Sequence, residues 1–164
     1  MLKFALIPPG PPAGIRKRDF NAAKKIAFEK IGEYWFEFFL PKHFTKAGAR
    51  EYGYTPRKGE NLPRGSKAWR KSYTGKKWKK YGVTQPLVYT GESKRATRSA
   101  RIKTTSKKVT VTMRTPRLNW RAKNSEINMN KELTTISPAE WNVLTGIFEQ
   151  RLEHELSKIA QTGR

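Results

Sequence analysis

The chain has 164 residues, the length of one domain. It carries 35 Lys and Arg against 13 Asp and Glu, a formal net charge of +22, and it contains no Cys. The absence of Cys excludes disulfides and thiolate metal sites, and 12% aromatic residues are too many for a disordered tail.

The positive charge is concentrated in the middle of the chain. Between Pro41 and Lys123 there are 24 Lys and Arg but only three acids, a net charge of +21, whereas the two flanks together carry +1. Solubility alone needs far less charge than this, although a soluble domain with solvated Lys is the simpler alternative. We therefore predict that this segment, the basic belt, meets a polyanion, either nucleic acid phosphates or an acidic protein wall.

The N-terminal region predicts one strand and one helix. Residues 2–6 indicate an edge strand, because large apolar residues, Leu2, Phe4 and Leu6, alternate with Lys3 and Ala5. A helix is predicted over residues 19–40, with Asp19 as its N-cap and Pro41 as its stop. Apolar residues recur along it at steps of three and four, namely Phe20, Ala23, Ala27, Ile31, Tyr34, Trp35 and Phe38. Three further aromatic residues lie off this stripe and predict a second apolar side that packs against another chain: Phe28, Phe36 and Phe39.

The basic belt begins with residues 42–81, which are rich in Gly, Lys, Arg and Tyr and lack sustained periodicity. We predict a long basic loop or arm there with at most a short helix, which is typical of a functional or partner-ordered segment. Strands are predicted within residues 83–136, where short apolar or alternating runs occur at 83–89, 101–105, 109–114 and 127–136. Residues 106–108 supply a turn between the second and third of these runs.

The C-terminal region predicts a helix over residues 138–160. Ser137 as cap, Pro138 at the first position and Glu140 three residues after the serine form a capping box. The apolar stripe consists of Trp141, Leu144, Phe148, Leu152, Leu156 and Ile159. The predicted fold class is α+β: a single domain, residues 1–164, in which a small antiparallel sheet packs against an N-terminal and a C-terminal helix, with a long basic loop.

Signs of catalysis are missing. The only two histidines, His43 and His154, lie in different regions without metal-ligand spacing. Three acids in the basic belt are too few for a two-metal nuclease unless the flanks contribute further acids. Thr74-Gly75-Lys76-Lys77 lacks the upstream glycine pattern of a phosphate-binding loop. We expect no enzyme, no cofactor, no metal and no membrane segment.

Two stretches of the basic belt, residues 50–58 and 67–81, interleave aromatic and basic residues, as in nucleic-acid-binding surfaces. The rings either anchor a loop or stack on bases. The candidate polyanion or DNA contacts are Arg50, Arg57, Lys58, Arg64, Lys67, Arg70, Lys71, Lys76, Lys77, Lys79 and Lys80.

A more specific pattern spans the same region. Arg50-x-Tyr-x-Tyr-x-x-Arg57 is followed by a Lys-rich spacer and then by Gln85-Pro-Leu-Val-Tyr-Thr-Gly-Glu-Ser-Lys-Arg95. This order resembles the central signature of tailed-phage virion-morphogenesis proteins, also called tail-completion or head–tail joining proteins. The resemblance covers roughly residues 20–115, and the helix after Ser137 has no counterpart that we can align.

The resemblance implies a non-catalytic structural subunit of the virion neck, in which a ring of six or twelve copies joins the tail to the DNA-filled head. The implied partners are portal or connector proteins, tail-tube or tail-terminator proteins and, non-specifically, packaged DNA. The subunit would be assembled in the host cytoplasm and located in the virion. The basic belt would face either DNA or acidic surfaces of adjoining rings. The alternative is a basic nucleic-acid-binding protein that acts outside a virion.

The motif also suggests assembly contacts. Pro86 suits the start of an edge strand, because it lacks a donor, and Gly91 is free to turn the chain with a positive φ. An ordinary strand and turn remains the alternative for these residues. Together with two of the off-stripe aromatics, the candidate assembly contacts are Phe36, Phe39, Leu87, Tyr89, Gly91 and Arg95.

Overall fold

The computed structural model describes residues 1–8, 10–88, 90–115, 118 and 126–162. They fall into two compact units. Unit 1 comprises Met1–Phe39, Ala100–Thr112 and Ile136–Arg164, and unit 2 comprises Leu40–Ser99 and Met113–Thr135. Helices and a small antiparallel sheet are both present, so the predicted α+β class is confirmed.

Unit 1 contains the sheet. Its strands are β1 (Leu2–Ala5), β2 (Arg101–Thr104) and β3 (Lys108–Thr112), in the antiparallel order β1-β3-β2. The predicted edge strand, the hairpin of 101–114 and its turn are therefore confirmed. The register pairs Leu2 with Val111 and Phe4 with Val109, and all four side chains are buried on one face. Alternation of side chains along each strand produces this apolar face.

Helix α1 (Lys17–Tyr34) packs on β2 and β3 and also on the long C-terminal helix α7 (Pro138–Thr162). Gly32 makes the close approach to the sheet possible, because a Cβ at this position would lie 2.7 Å from Val109 Cγ2. Phe28 of α1 contacts Phe148 of α7, with ring centroids 4.7 Å apart. The predicted capping box at the start of α7 is present: Ser137 N donates to Glu140, and Glu140 N donates to Ser137 Oγ.

The ends of α1 differ from the prediction. The helix begins at Lys17, so Asp19 is not its cap; it lies in the first turn, where a carboxylate is favoured, and accepts a hydrogen bond from Arg16 Nε at 2.7 Å. At the other end, Tyr34 leads into a π-helical turn (Trp35–Phe39) and then a 3-10 turn (Leu40–Phe44). Pro41 does not stop the helical backbone, because a proline is tolerated in the first turn of a new helical segment.

Unit 2 is helical in its described part. After the 3-10 turn come α2 (Lys46–Glu51), α3 (Lys67–Lys71), α4 (Tyr73–Tyr81), α5 (Glu92–Thr97) and α6 (Met129–Leu133). Helices α2 and α6 pack on the 3-10 turn. The buried His43 ring lies parallel to Tyr52, with centroids 3.9 Å apart, and its Nδ1 hydrogen-bonds with the Tyr54 hydroxyl at 2.5 Å.

Three secondary-structure predictions for unit 2 are wrong. Residues 42–81 contain three helices rather than a loop with at most a short helix, because Thr45, Ser66 and Ser72 each cap a helix by accepting a backbone N–H. Residues 127–136 form no strand, since Asn128 caps α6 in the same way.

The third error concerns residues 83–88, which form no strand. Pro86 and Leu87 form a turn instead, in which Leu87 adopts a left-handed backbone with φ of 55°. A proline followed by a residue of positive φ is a turn sequence and is incompatible with an extended strand. Tyr89 lies outside the described residues.

Candidate polyanion-binding surface

Helices α3 and α4 form the basic helix pair, the most strongly charged element of unit 2. Ser72 alone joins them; it ends α3 and caps α4. Gly75, at the start of α4, lets that helix approach the Trp69 carbonyl, since a Cβ would clash with this oxygen. The Trp69 and Trp78 rings pack together with centroids 5.8 Å apart. These contacts hold two short helices in a fixed arrangement that neither helix would keep alone.

Six cations project from the basic helix pair, and all of them are exposed. Helix α4 carries three at helical spacing on the side opposite its buried residues. In the part of the chain that the structure describes, none of the six forms a salt bridge. The six are Lys67, Arg70 and Lys71 on α3, and Lys76, Lys79 and Lys80 on α4.

Three more of the predicted contacts are exposed elsewhere in unit 2: Arg50, Lys58 and Arg64. The Arg64 guanidinium lies over the Trp78 ring, 4.5 Å from its centroid, so it is held beside the basic helix pair. Arg50 and Lys46, one turn apart on α2, border a polar pocket of about 330 Å³. Nine of the eleven predicted contacts are thus placed where an anion in solution can reach them.

The other two predicted contacts, Arg57 and Lys77, are structural. Arg57 forms a bidentate ion pair with Glu132 of α6, with nitrogen–oxygen distances of 2.7 and 2.6 Å. The two side chains are only 11% and 10% exposed, so this guanidinium is neutralised inside the unit. No local sequence pattern indicates this partner, which lies 75 residues away.

Lys77 lies on the buried side of α4. Its Nζ donates a hydrogen bond to the Gln85 carbonyl at 2.6 Å. Burial, together with the nearby Arg57, lowers the pKa of Lys77 to about 8, and Glu60 partly offsets this effect. A lysine whose ammonium is buried in this way supports the turn at Pro86 rather than contacting a ligand.

The aromatic residues of unit 2 are mainly anchors. Tyr52, Tyr54 and Trp69 are buried, which favours the anchoring interpretation over base stacking. Tyr73 and Trp78 on α4 are the partial exceptions, at 38% and 39% exposed. They lie among the cations of the basic helix pair and leave part of each ring on the surface.

The predicted assembly contacts have mixed positions. Phe39 is 6% exposed and belongs to the core of unit 1, and Phe36 is half-buried. The π-helical turn directs Phe38 outward instead, at 50% exposed. Leu87 is buried within unit 2, which removes it as a surface contact.

Two further candidate assembly contacts, Gly91 and Arg95, lie beside and on α5. Gly91 has the predicted positive φ, 77°, but it precedes α5 rather than ending a strand. Arg95, on α5, is exposed. The remaining candidate assembly contact, Tyr89, lies outside the described residues.

Charge differs between the two units. Unit 2 has 21 Lys and Arg against five acids, a net of +16, and unit 1 has 14 against eight, a net of +6.

Among the described residues there is no group of three or more His, Asp or Glu that could hold a metal, and no helix is long and apolar enough to cross a membrane. Comparisons with family models, with curated proteins and with solved structures found no match.

Proposed function

We propose that this protein is a non-catalytic structural subunit of a tailed-phage virion, which joins the tail to the DNA-filled head as a ring. Its basic helix pair and the neighbouring exposed cations contact packaged DNA through the phosphates. The virion assignment rests on the resemblance of residues 20–115 to virion-morphogenesis proteins, and the α+β fold is compatible with it.

The observation that carries the DNA contact is the set of six exposed cations without salt bridges on one rigid pair of helices. Carboxylates that could neutralise them are scarce in unit 2, and one of these, Glu132, is bound to Arg57. A surface of this kind gains affinity for duplex DNA by releasing counterions from the phosphates, and it does so for any base sequence. Non-specific contact is what a subunit lining a DNA channel requires, because the DNA segment that it meets is not fixed.

The DNA contact is tested by replacing Lys67, Arg70 and Lys71 with Gln. If these side chains touch phosphates, the slope of log affinity against log salt falls by up to about 0.9 for each contact, so by about 2–3 in total. Fluorescence anisotropy with two unrelated duplexes between about 50 and 200 mM salt measures this slope. Weakening should be equal for both duplexes.

A matched control removes the same charge from unit 1. Lys3, Lys25 and Lys103 are exposed there, and their replacement by Gln lowers the net charge equally. The control should change the slope of log affinity against log salt by less than half as much as the replacement of Lys67, Arg70 and Lys71 does. An equal effect of both triple variants would show that only net charge matters and would overturn the assignment of the site.

A nucleic-acid-binding protein that acts outside a virion is the second candidate, since the basic helix pair suits it equally well. The two candidates differ in location. A neck subunit remains in purified particles at a fixed copy number, whereas a free binding protein is absent from them. Quantitative mass spectrometry of purified particles therefore decides between the two.

A further inference from the structure

Unit 1 has an apolar groove along α7 that none of its described residues fills. One wall is formed by α7, and the groove encloses about 680 Å³. The other wall is formed by Leu6, Ile7, Pro8, Pro12, Ala13 and Ile15. Phe148, Leu152 and Leu156 line the helical wall, while Ile7 on the opposite wall is fully exposed. A second groove of about 1060 Å³ shares Ala13, Ile15 and Ala160 with the first. Phe148 and Leu152 are buried and form the floor, whereas Leu156 and Ile159, at the C-terminal end of the α7 stripe, are only half-buried.

The groove walls are acidic, in contrast to the rest of the protein. The two grooves are lined by four acids and one base, Arg16, in a chain with 35 bases and 13 acids. Two of the acids are balanced within unit 1: Asp19 by Arg16, and Glu155 by Arg151.

The remaining two acids, Glu149 and Glu153, lie one turn apart on α7 and are exposed. Within the described residues neither forms a salt bridge. Apolar walls with two available carboxylates fit a partner that combines exposed aromatic rings with cations.

This chain itself carries such a surface. Helix α4 exposes part of Tyr73 and, on the same face, Lys76 and Lys80 with Lys79 next to them, whereas Trp78 points away from this face, packs on Trp69 and lies under Arg64. We propose that the groove of unit 1 receives helix α4 of a second copy, with the Tyr73 ring on its apolar walls and the lysines facing Glu149 and Glu153. The inference rests on the proposed ring, for which it supplies the subunit contact.

The contact would be heterologous, because one surface of each copy meets a different surface of the next. Contacts of this type generate rings when the rotation closes and filaments when it does not. The proposed contact between the groove and α4 also divides the cations of unit 2 between two roles. In the assembled ring the lysines of α4 bind the neighbouring subunit, so packaged DNA contacts the cations of α3 with Arg50, Lys58 and Arg64; the whole basic helix pair is open to DNA only in the free subunit.

Charge reversal tests the contact on the full chain by sedimentation velocity at physiological salt. Changing Glu149→Lys and Glu153→Lys places like charges against α4 of the neighbour, so self-association should weaken by about tenfold or more. Changing Lys76→Glu, Lys79→Glu and Lys80→Glu should have the same effect from the other side. A 1:1 mixture of the two variants should associate again, since each groove then meets a helix of opposite charge.

The matched control is Glu29→Lys with Glu33→Lys, which makes the same charge change at exposed positions of α1 outside both grooves. It should associate like the unaltered chain. All the altered residues are exposed, and circular dichroism verifies that each variant is folded.

Several results would overturn the inference: an unaltered chain that stays monomeric up to about 100 µM, a groove variant that associates normally, or two variants that fail to associate when mixed. The DNA-binding measurement on Lys67, Arg70 and Lys71 needs no second copy. Its failure is therefore distinguishable from a failure of the subunit contact.

Discussion

The ion pair between Arg57 and Glu132 gives the sharpest prediction about unit 2. Replacing Arg57 with Met leaves the Glu132 carboxylate, which is 10% exposed, without its cation. Removing one partner of a buried pair costs about 3–5 kcal/mol, whereas an exposed pair contributes at most about 1 kcal/mol. The low exposure and the bidentate geometry place this pair in the first class, so we expect about 3 kcal/mol of destabilisation.

Urea unfolding followed by circular dichroism measures this cost. A second variant with Met at both positions should lose less, about 1–2 kcal/mol, because no buried charge remains. The losses left are at Thr55, whose backbone N–H donates to Glu132 at 3.2 Å and whose carbonyl accepts from Arg57. A loss below about 1 kcal/mol for Arg57→Met alone would refute the reasoning. Arg57 would then be available as a polyanion contact, as the sequence suggested.

Three further predictions concern single positions. Burial lowers the pKa of His43 to about 4, partly offset by a hydrogen bond with the Glu132 backbone. The unfolded state protonates this histidine below about pH 6.5, whereas the folded state does so only near pH 4. Titration of His43 should therefore leave the free energy of unfolding unchanged above about pH 6.5 and lower it by about 3 kcal/mol as the pH falls to 4. His43→Gln should remove this pH dependence in acid titrations. Gly91→Val should cost about 1–3 kcal/mol in thermal unfolding, because φ is 77° there, whereas Gly10→Val, in open space, should cost little. Phe39→Ser should destabilise unit 1 by about 3–5 kcal/mol, because Phe39 is buried, whereas Phe38→Ser should cost less than about 1 kcal/mol, because Phe38 is exposed. Equal losses of stability in the two variants would contradict this difference in burial.

The fold of unit 1 was largely predictable because its signals are local. The alternation at residues 2–6 and 109–114 and the capping box at Ser137 each specify an element without reference to the rest of the chain. The failure at Asp19 was small: an acid in the first turn and a capping acid look alike in sequence, and here the acid lies in the first turn.

Unit 2 was harder because its helices are short and depend on contacts between distant residues. Helices of five to nine residues give little periodicity, and α3 and α4 are held together by Trp69, Gly75 and Trp78 rather than by their propensity. The Ser and Thr caps were the available signal. Once α4 is known, its spacing separates the buried Lys77 from the exposed lysines, but no local pattern could have paired Arg57 with Glu132.

Electron microscopy of a phage lacking the gene tests the proposal that this protein joins heads to tails. We expect DNA-filled heads and complete, separate tails, with joined virions restored when the unaltered gene is supplied. Packaging and tail assembly should proceed in its absence, because the proposed role begins after both. Normal joined virions without the protein would contradict the proposal.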